Sequence, residues 1–399
     1  MSPETPSAAR RHAVQACGNA SAVEGPLQGY HHETYVFPLA DDTADATAGD
    51  RTGDRTGDRT GDRTGDRTGD GTGDGTGDGS GTAAPARWKC REPRTGLLWF
   101  DRRCFDSEEQ LLGALSGRIT GIPRIREFGG LRLQRFVEGR TLGALRTSGR
   151  SIPGPLLAQI VRLFRELAAV TPETLVVKRR CEARDRPEDG DTNGFLERLV
   201  CFTEDSVYRA NLDDFGALFE AAGVDGDAFH HLRKHVSGLT GRPFCLLHAD
   251  LHRENFVVDP GQRLWTIDWE LAMVGDPLYD LATHLYLMRY PEWQARVLTR
   301  RWVAAVEAVR PGGSRGWRHD LPLLIDYKRA QSVFTDLIRA ALSLGPEHDT
   351  GRRQLLRTGA KLHRILAGAA VPLGLDSVPA PERIADALAD WRRRHGPAG

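Results

Sequence analysis

The sequence lacks the features of a secreted or membrane-spanning protein. Its six cysteines, at positions 17, 90, 104, 181, 201 and 245, include no CxxC pair. That pattern favours reduced thiols over a disulfide framework. The N-terminus has no apolar segment typical of a signal peptide, and no run approaches the ~18 apolar residues of a membrane span. We therefore expect a cytoplasmic protein without membrane contact.

The sequence also lacks an excess of charge of either sign, and it contains few lysines. The 54 basic residues equal the 54 acidic ones, so we expect no attraction to nucleic acid. Lysine occurs only at positions 89, 178, 234, 328 and 361. A lysine in a strand that could contact phosphate is therefore a stronger signal here than in most sequences.

Residues 49–80 form a tetrapeptide repeat with no apolar side chain to bury. GDRT units give way to GDGT, and the segment ends in GDGS. This composition predicts a solvated, flexible insertion. Its aspartates recur every four residues, unlike those of calcium loops, so ordered calcium binding is the less favoured interpretation. Whether the repeat has any role is left open.

The segments that flank the repeat predict a β-rich first lobe. Residues 29–40 contain the β-prone TYVF, and residues 86–93 alternate polar and apolar side chains. We expect these strands to form a hairpin whose tip is extended by the repeat. The predicted organisation is a tail at 1–20 and an N-lobe at 21–140, interrupted by a disordered segment at 45–83.

One helix is predicted within this lobe, over residues 106–117. Asp106 or Ser107 can cap it. Its apolar face would comprise Leu111, Leu112 and Leu115. Residues 131–142 predict a strand followed by a turn.

The rest of the chain, residues 141–399, predicts a helical C-lobe. Residues 156–170 place Leu156, Ile160, Leu163, Phe164 and Leu167 on one helical face. Helical patterns recur at 194–220, 277–290, 292–309, 321–343, 352–368 and 380–394. The exception is a strand–hairpin–strand segment that holds the predicted catalytic loop, at 245–270.

Residues 248–268, HADLHRENFVVDPGQRLWTID, carry the strongest functional signal. Asp250 is followed five residues later by Asn255, and Asp268 ends an apolar run after a short hairpin. In phosphoryl-transfer loops one carboxylate accepts a hydroxyl proton, while an amide and a second carboxylate hold magnesium on nucleotide phosphates. The spacing predicts Asp250 as the catalytic residue, and Asn255 and Asp268 as Mg²⁺ ligands, of a small-molecule kinase.

Other interpretations of this segment are less favoured. Isolated Asp and Asn residues often cap turns, but these groups on one strand pair would repel each other without a cation. A hydrolytic metal cluster is a rival that leaves Asn255 without a role. Its ligands would be His248, Asp250, His252 and Asp268. We expect His248 to brace the loop through backbone contacts and assign it no proton chemistry.

HADLHREN, IDWE (267–270) and GDPLYDLA (275–282) resemble the aminoglycoside phosphotransferase and choline kinase family. The resemblance is most specific over residues 245–285. It implies an α+β, bilobal, protein-kinase-like fold with a small β-rich N-lobe containing one helix and a larger, mainly helical C-lobe. The family's catalytic Asp and metal ligands fall on the residues named above. Ala249 stands where the family usually has glycine.

The resemblance also implies a nucleotide-binding site in the first lobe. The family's phosphate-gripping strand lysine falls on Lys89, and its helix glutamate falls on Glu108, with Glu109 as the second choice. The hinge, whose backbone would meet adenine or guanine, falls near Gln134–Val137.

We therefore predict an ATP- or GTP-dependent O-phosphotransferase that uses Mg²⁺ and acts on a small-molecule hydroxyl. The acceptor would be an aminoglycoside-like antibiotic, an amino alcohol or a sugar. One alternative is a kinase of peptide Ser or Thr hydroxyls in natural-product maturation. Another is a nucleotide-binding pseudokinase that acts as a regulatory scaffold, although the intact motif argues against it. The sequence leaves open the acceptor, the choice of nucleotide and the oligomeric state.

Overall fold

The structure, a computed structural model, shows a mixed α/β protein with a small antiparallel sheet and a mainly helical remainder. Packing divides the chain into two compact units, Met1–Pro93 and Arg94–Gly399. The predicted lobe boundaries at residues 20 and 140 stay predictions. The structure describes residues 7–27, 32–40, 85–94, 97–344 and 351–395.

The first unit contains three antiparallel strands, β1 (Glu24–Leu27), β2 (His32–Pro38) and β3 (Arg87–Pro93). The last residue of β2, Pro38, pairs with Arg87, and the next backbone N–H, of Leu39, donates to Ala86 O at 2.9 Å. The predicted hairpin is thereby confirmed. The repeat at 49–80 lies outside the described residues.

Helix α1 (Ala8–Cys17) lies within the segment 1–20, for which no helix was predicted from the sequence. Its buried face consists of Ala9, Ala13 and Ala16. The helix packs on β2 and β3, and the Ala9 N–H donates to the Glu92 carboxylate at 3.0 Å. Helical spacing is present, but alanine methyls give too small an apolar signal to stand out in the sequence.

The second unit begins with helix α2 (Glu108–Leu115), as the sequence predicts. The side chain of Ser107 caps it by accepting from the Gln110 N–H at 3.2 Å. The predicted apolar face, Leu111, Leu112 and Leu115, is buried. Strands β4 (Ile125–Phe128) and β5 (Leu131–Arg135) then form an antiparallel hairpin.

Helices dominate the remainder of this unit. After a short strand, β6 (Arg140–Thr141), they are α3 (Leu142–Leu145), α4 (Gly154–Ala168), α5 (Thr192–Phe202), α6 (Leu212–Ala221), α7 (Asp227–His235), α8 (Pro277–Met288), α9 (Glu292–Glu307), α10 (Trp317–Ser343), α11 (Arg352–Leu373) and α12 (Pro381–His395). The five apolar residues predicted for the face of α4 are all buried. The pattern at 194–220 is not one helix, because a π-helical turn, Thr203–Tyr208, separates α5 from α6. Among the described residues, no helix is long and apolar enough to cross a membrane.

Two short strand pairs hold the loop that carries the motif. Strand β7 (Cys245–Leu247) pairs with β10 (Met273–Gly275), and β8 (Phe256–Val258) pairs with β9 (Leu264–Thr266). The chain leaves β7 at Leu247 and re-enters a strand at Phe256. The eight residues between them are therefore fixed at both ends by hydrogen-bonded backbone.

Candidate active site

Asp250 and Asn255 are joined by direct hydrogen bonds across this loop. The Asn255 Nδ2 donates to the backbone O of Asp250 at 2.9 Å and to its carboxylate Oδ2 at 3.1 Å. Both amide hydrogens are thereby directed at Asp250. The amide oxygen of Asn255 remains as the acceptor face of the side chain, which is the group that a hard cation prefers.

A hydrogen bond between backbone groups holds the segment of Asp268 beside Asn255. Asp268 follows Ile267, whose N–H donates to the Asn255 O at 3.0 Å. Asp268 itself has a left-handed backbone with φ 64°, a conformation that Asp tolerates better than most residues. The structure therefore places an amide and a carboxylate on neighbouring backbone segments. These oxygen donors fit Mg²⁺, so the expected ligand pair is chemically suitable.

Asp250 has the environment of an ionised carboxylate. Its side chain is 27% exposed, and His252 Nε2 lies 3.4 Å from its Oδ2. Burial alone would raise the pKa of Asp250, but the hydrogen bond and charge of His252 outweigh it, helped by the charges of His248 and Lys328. The pKa therefore lies below the ordinary Asp value. The carboxylate is charged at neutral pH and can accept a hydrogen bond from an approaching hydroxyl.

His252 contacts the Asp250 carboxylate, whereas the sequence analysis assigned His252 only to a rival metal cluster. Its Nδ1 accepts from the Glu254 N–H at 3.1 Å, so its Nε2 carries the hydrogen that faces Asp250. Burial lowers the pKa of His252, but the bond to Asp250 raises it above the ordinary value. The ring therefore stabilises the Asp250 anion.

His248 lies beneath the loop, fully buried, in contact with backbone. Its Nε2 donates to the Ile267 O at 3.1 Å, and its ring packs on Trp269 at 4.7 Å between centroids. Burial lowers the pKa of His248 to about 4, so it is neutral at physiological pH. The contact links the first residue of the loop to the segment that carries Asp268, which agrees with a bracing role.

The buried Asp280 holds the start of the loop from helix α8. Its carboxylate accepts the backbone N–H groups of His248 at 3.1 Å and of Ala249 at 2.8 Å. Burial raises the pKa of Asp280 to about 7, although these N–H bonds lower it. Ala249 has φ 64°, so the loop turns sharply at the position where the family usually has glycine.

Two further anchors, Arg253 and His284, were missed by the sequence analysis. The Arg253 guanidinium donates to the carbonyls of Arg150 at 2.7 Å, Arg146 at 3.1 Å and Met288 at 3.2 Å. His284 Nδ1 donates to the Leu251 O at 2.8 Å, while its Nε2 accepts from Tyr290 Oη at 3.0 Å. Their partners are mostly backbone carbonyls, which no residue pattern identifies.

Asp276 caps helix α8 and belongs to a buried ion cluster. Its Oδ1 accepts from the Leu278 N–H at 2.9 Å. Arg242 donates three bonds to Asp276, at 2.6 Å, 2.8 Å and 3.0 Å, and one to Asp320 at 2.5 Å. All three side chains are excluded from solvent. Through this cluster α8 and α10 are linked to Arg242, which lies shortly before β7. The cluster thus stabilises the strand from which the catalytic loop begins.

Of the residues predicted to bind nucleotide, Glu108 and Gln134 lie together. The Gln134 Nε2 lies 3.5 Å from Glu108 Oε1, and these side chains are 1% and 5% exposed, respectively. Glu109, the second choice, instead accepts from Ser107 Oγ at 2.7 Å, next to the helix cap. Glu108 is therefore the glutamate of α2 that lies beside Gln134, and its role in nucleotide binding stays a prediction.

Lys89 lies in the other unit, in the middle of β3 and opposite Val36. Its pairing with Glu108 stays a prediction. Val137 belongs to the irregular segment after β5 and lines a cavity of about 420 Å³. The β8–β9 hairpin also lines this cavity, through Asp259, Pro260 and Trp265. The predicted hinge thus borders open space beside the hairpin that follows the catalytic loop.

The rival hydrolytic metal cluster finds no support. Within the part of the chain that the structure describes, no group of three or more His, Cys, Asp or Glu side chains could hold a metal ion. His248 is engaged with backbone, and His252 is directed at Asp250.

Comparison with known families gives the decisive observation. The sequence model of the family described as "APH: Phosphotransferase enzyme family" matches residues 96–318, more than half of the chain. The protein belongs to the phosphotransferase enzyme family. This confirms the resemblance drawn from the motifs, and the matched region contains the whole catalytic loop. Lys89 precedes it. No curated protein matches the chain significantly.

Several solved structures are similar to this phosphotransferase at low identity. A choline/ethanolamine kinase family protein from Mesorhizobium loti is 17% identical, with a TM-score of 0.43, over 78% of this chain and 88% of the other. A choline kinase from Streptococcus pneumoniae is 15% identical, with a TM-score of 0.42, over 71% and 86%. A thermostable mutant of aminoglycoside phosphotransferase APH(4)-Ia, in complex with ADP and hygromycin B, is 13% identical, with a TM-score of 0.40, over 96% and 99%.

Proposed function

We propose that this phosphotransferase transfers the terminal phosphate of ATP or GTP to a hydroxyl of a small molecule, in the presence of Mg²⁺. The observation that carries the proposal is the bonded pair of Asp250 and Asn255, with Asp268 on the adjoining segment. The family membership supplies the reaction class. The loop supplies a charged carboxylate and a separate pair of oxygen ligands, which is the division of labour that phosphoryl transfer requires.

Asp250 addresses the acceptor. Its carboxylate accepts the hydrogen bond of the acceptor hydroxyl, orients the oxygen toward the terminal phosphorus and takes the proton as the new bond forms. His252 and Asn255 fix the direction of this carboxylate. The positioning matters as much as the basicity, because a bound and aligned oxygen converts a bimolecular encounter into an internal step.

Asn255 and Asp268 hold the cation, whose charge neutralises the phosphate oxygens when it is bound. In the proposal, Lys89 contacts the phosphates, and Glu108 orients the Lys89 side chain. The backbone of Gln134–Val137 meets the base. The Gln134–Glu108 contact supports this assignment, because it fixes the glutamate beside the first residue of the hinge.

The charges around the helical lobe favour a sugar or a singly charged amino alcohol over a polycationic aminoglycoside. Several carboxylates on its helices are already paired with basic side chains. Examples are Glu204 with Arg209 and Arg233, and Asp326 with Arg329. Lys328, buried on α10, places a positive charge near Asp250. A polycation would have to displace such partners or approach a like charge, and both cost free energy.

Asp250→Asn tests the proposal while preserving the shape of the side chain. Turnover should fall by about 10²-fold or more, because the amide cannot take the hydroxyl proton. Nucleotide affinity should stay near that of the parent. Asp386→Asn makes the same chemical change on an exposed residue of α12 and should leave turnover unchanged. Turnover of Asp250→Asn within a few-fold of the parent would refute the role of Asp250.

A peptide Ser or Thr acceptor and a regulatory pseudokinase remain the alternatives. Mg²⁺-dependent nucleotide turnover separates an enzyme from a scaffold. Comparison of small hydroxyl compounds with Ser- and Thr-containing peptides then separates the two enzyme classes.

A further inference from the structure

Two cysteines that are distant in the sequence, Cys104 and Cys181, lie side by side in the structure. They flank an antiparallel bridge between Phe105 and Arg179. The bridge is closed by the Arg180 N–H, which donates to the Cys104 O at 2.9 Å. The thiol of Cys104 forms a hydrogen bond with the sulfur of Cys181.

Both cysteines line a cavity of about 280 Å³ on the second unit. Its apolar floor includes Phe195, Phe244 and Met273, the last from strand β10. Its charged lining comprises Arg102, Glu173, Arg179, Asp185, Arg186 and Asp189. A small molecule can therefore enter the space beside the two sulfurs. The pair is separate from the residues that the proposed phosphoryl transfer uses.

The electrostatics of the pair are unequal. The hydrogen bond from Cys104 and the contact with Arg186 together lower the pKa of Cys181 to about 5, although burial opposes both effects. The same hydrogen bond raises the pKa of Cys104 well above its ordinary value, and burial adds to this. At neutral pH Cys181 is the thiolate and Cys104 is the thiol that stabilises it. A nucleophilic sulfur with a second thiol in contact is the arrangement that favours thiol–disulfide exchange.

We propose that Cys104 and Cys181 form a reversible disulfide by exchange with a low-molecular-weight disulfide that enters this cavity. The inference is independent of the proposed phosphotransferase reaction, since it concerns a different site and a different chemistry.

The exchange takes two steps. The Cys181 thiolate attacks one sulfur of the small disulfide, forms a mixed disulfide and releases one small thiolate, which takes up a proton from solvent. Cys104 then loses its proton to solvent, and its sulfur attacks that of Cys181 and displaces the second small thiolate, which is protonated in turn. The protein is oxidised by two electrons, and one small disulfide is reduced to two small thiols. Dithiothreitol reverses the reaction.

The first test is oxidation of the full chain with excess glutathione disulfide at pH 7, followed by alkylation and non-reducing peptide mapping. The expected product links the peptides that contain Cys104 and Cys181, with loss of two hydrogen atoms from the protein and no glutathione retained at either site. Dithiothreitol should restore both free thiols. The absence of that linked peptide, with both thiols still alkylated or with a stable glutathione adduct on Cys181, would overturn the proposal.

Variants make the assignment specific. Cys104→Ser removes the second thiol, so Cys181 should now accumulate as a stable glutathione adduct. In Cys104→Ala, which leaves no hydrogen-bond donor at this position, alkylation of Cys181 at pH 6 should slow by about tenfold. Cys17→Ser is the matched control on another partly buried cysteine and should leave the 104–181 link unchanged. Loss of the link in Cys17→Ser would show that the pairing is not local.

Discussion

At the scale of single residues, Ala249 has a left-handed backbone near the start of the catalytic loop. Its φ is 64°, in the left-handed region where an L-residue with a Cβ is strained by about 1–2 kcal/mol. The N–H groups of Ala249 and of the preceding His248 both donate to the Asp280 carboxylate and hold the turn in place. The loop therefore makes this turn with an alanine at the position of positive φ.

Ala249→Gly should relieve this strain. The gain is offset by the lost methyl burial and by the greater entropy of glycine in the unfolded chain, so the free energy of unfolding should rise by at most about 1 kcal/mol. Ala249→Val should instead lower it by more than about 1 kcal/mol, because a β-branched residue tolerates positive φ poorly. Urea unfolding measures both. A glycine variant clearly less stable than the parent would contradict this account of the turn.

The proximity of the proposed site residues was predictable because their spacing is local. Asp250 and Asn255 lie within one loop, and Asp268 follows the next strand, so a motif brings them together. Arg253 and His284 were not predictable, since their partners are backbone carbonyls supplied by the fold. The Cys104–Cys181 contact was missed for a related reason: a single β-bridge between distant segments leaves no pattern in the sequence.

Among the elements, amphipathic helices with large apolar residues were found from their periodicity. The face of α4 is as predicted, whereas α1 buries only alanines and gave too small an apolar signal. The π-helical turn at Thr203–Tyr208 divides a segment that reads as one helix. A side-chain pattern reports which face is apolar, but it does not report where the backbone hydrogen bonds change register.

The packing of helix α8 against the catalytic loop predicts an acid-sensitive contact at His284. Burial lowers the pKa of His284 to about 3, while in the unfolded chain it protonates near the ordinary value. Below that value the unfolded state binds more protons, so acid favours unfolding. The free energy of unfolding should fall by about 1.4 kcal/mol per pH unit for this group, between about pH 6.5 and about pH 3.

His284→Gln should reduce this pH dependence, as measured by urea unfolding at a series of pH values. His248, whose pKa burial lowers to about 4, acts in the same direction and remains in the variant. The slope between pH 6 and pH 4 should therefore decrease by about one proton but not vanish. His230→Gln, on an exposed residue of α7, is the control that should keep the parent's slope. Equal slopes in parent and His284→Gln would show that His284 protonates in the folded state.

At the scale of the whole molecule, the pairing of β2 with β3 brings together the two ends of the segment that contains the repeat. The bond from the Leu39 N–H to the Ala86 O, at 2.9 Å, keeps the two sides of the insertion together. The cost of closing a loop grows only with the logarithm of its length. Residues 49–80 can therefore vary in number without altering the strands that flank them.

Replacement of residues 45–83 by a short Gly-Ser turn should leave a folded protein with near-parental nucleotide turnover. The free energy of unfolding should shift by about 1–2 kcal/mol at most, in the favourable direction. Limited proteolysis of the parent should cut first within this segment, at its arginines. A replacement variant that folds but loses turnover would show that the repeat takes part in the reaction.

In the proposed reaction, the protein uses the loop that contains Asp250 to transfer phosphate to a small hydroxyl compound. The most direct measurement is release of ADP or GDP, with Mg²⁺ present, across sugars, amino alcohols, aminoglycosides and Ser/Thr peptides, for the parent and Asp250→Asn in parallel. At least one small hydroxyl compound should raise release by the parent alone and should carry the phosphate on its hydroxyl, as seen by mass spectrometry. Release that no acceptor raises above the level of Asp250→Asn, from a protein that still binds nucleotide, would contradict it.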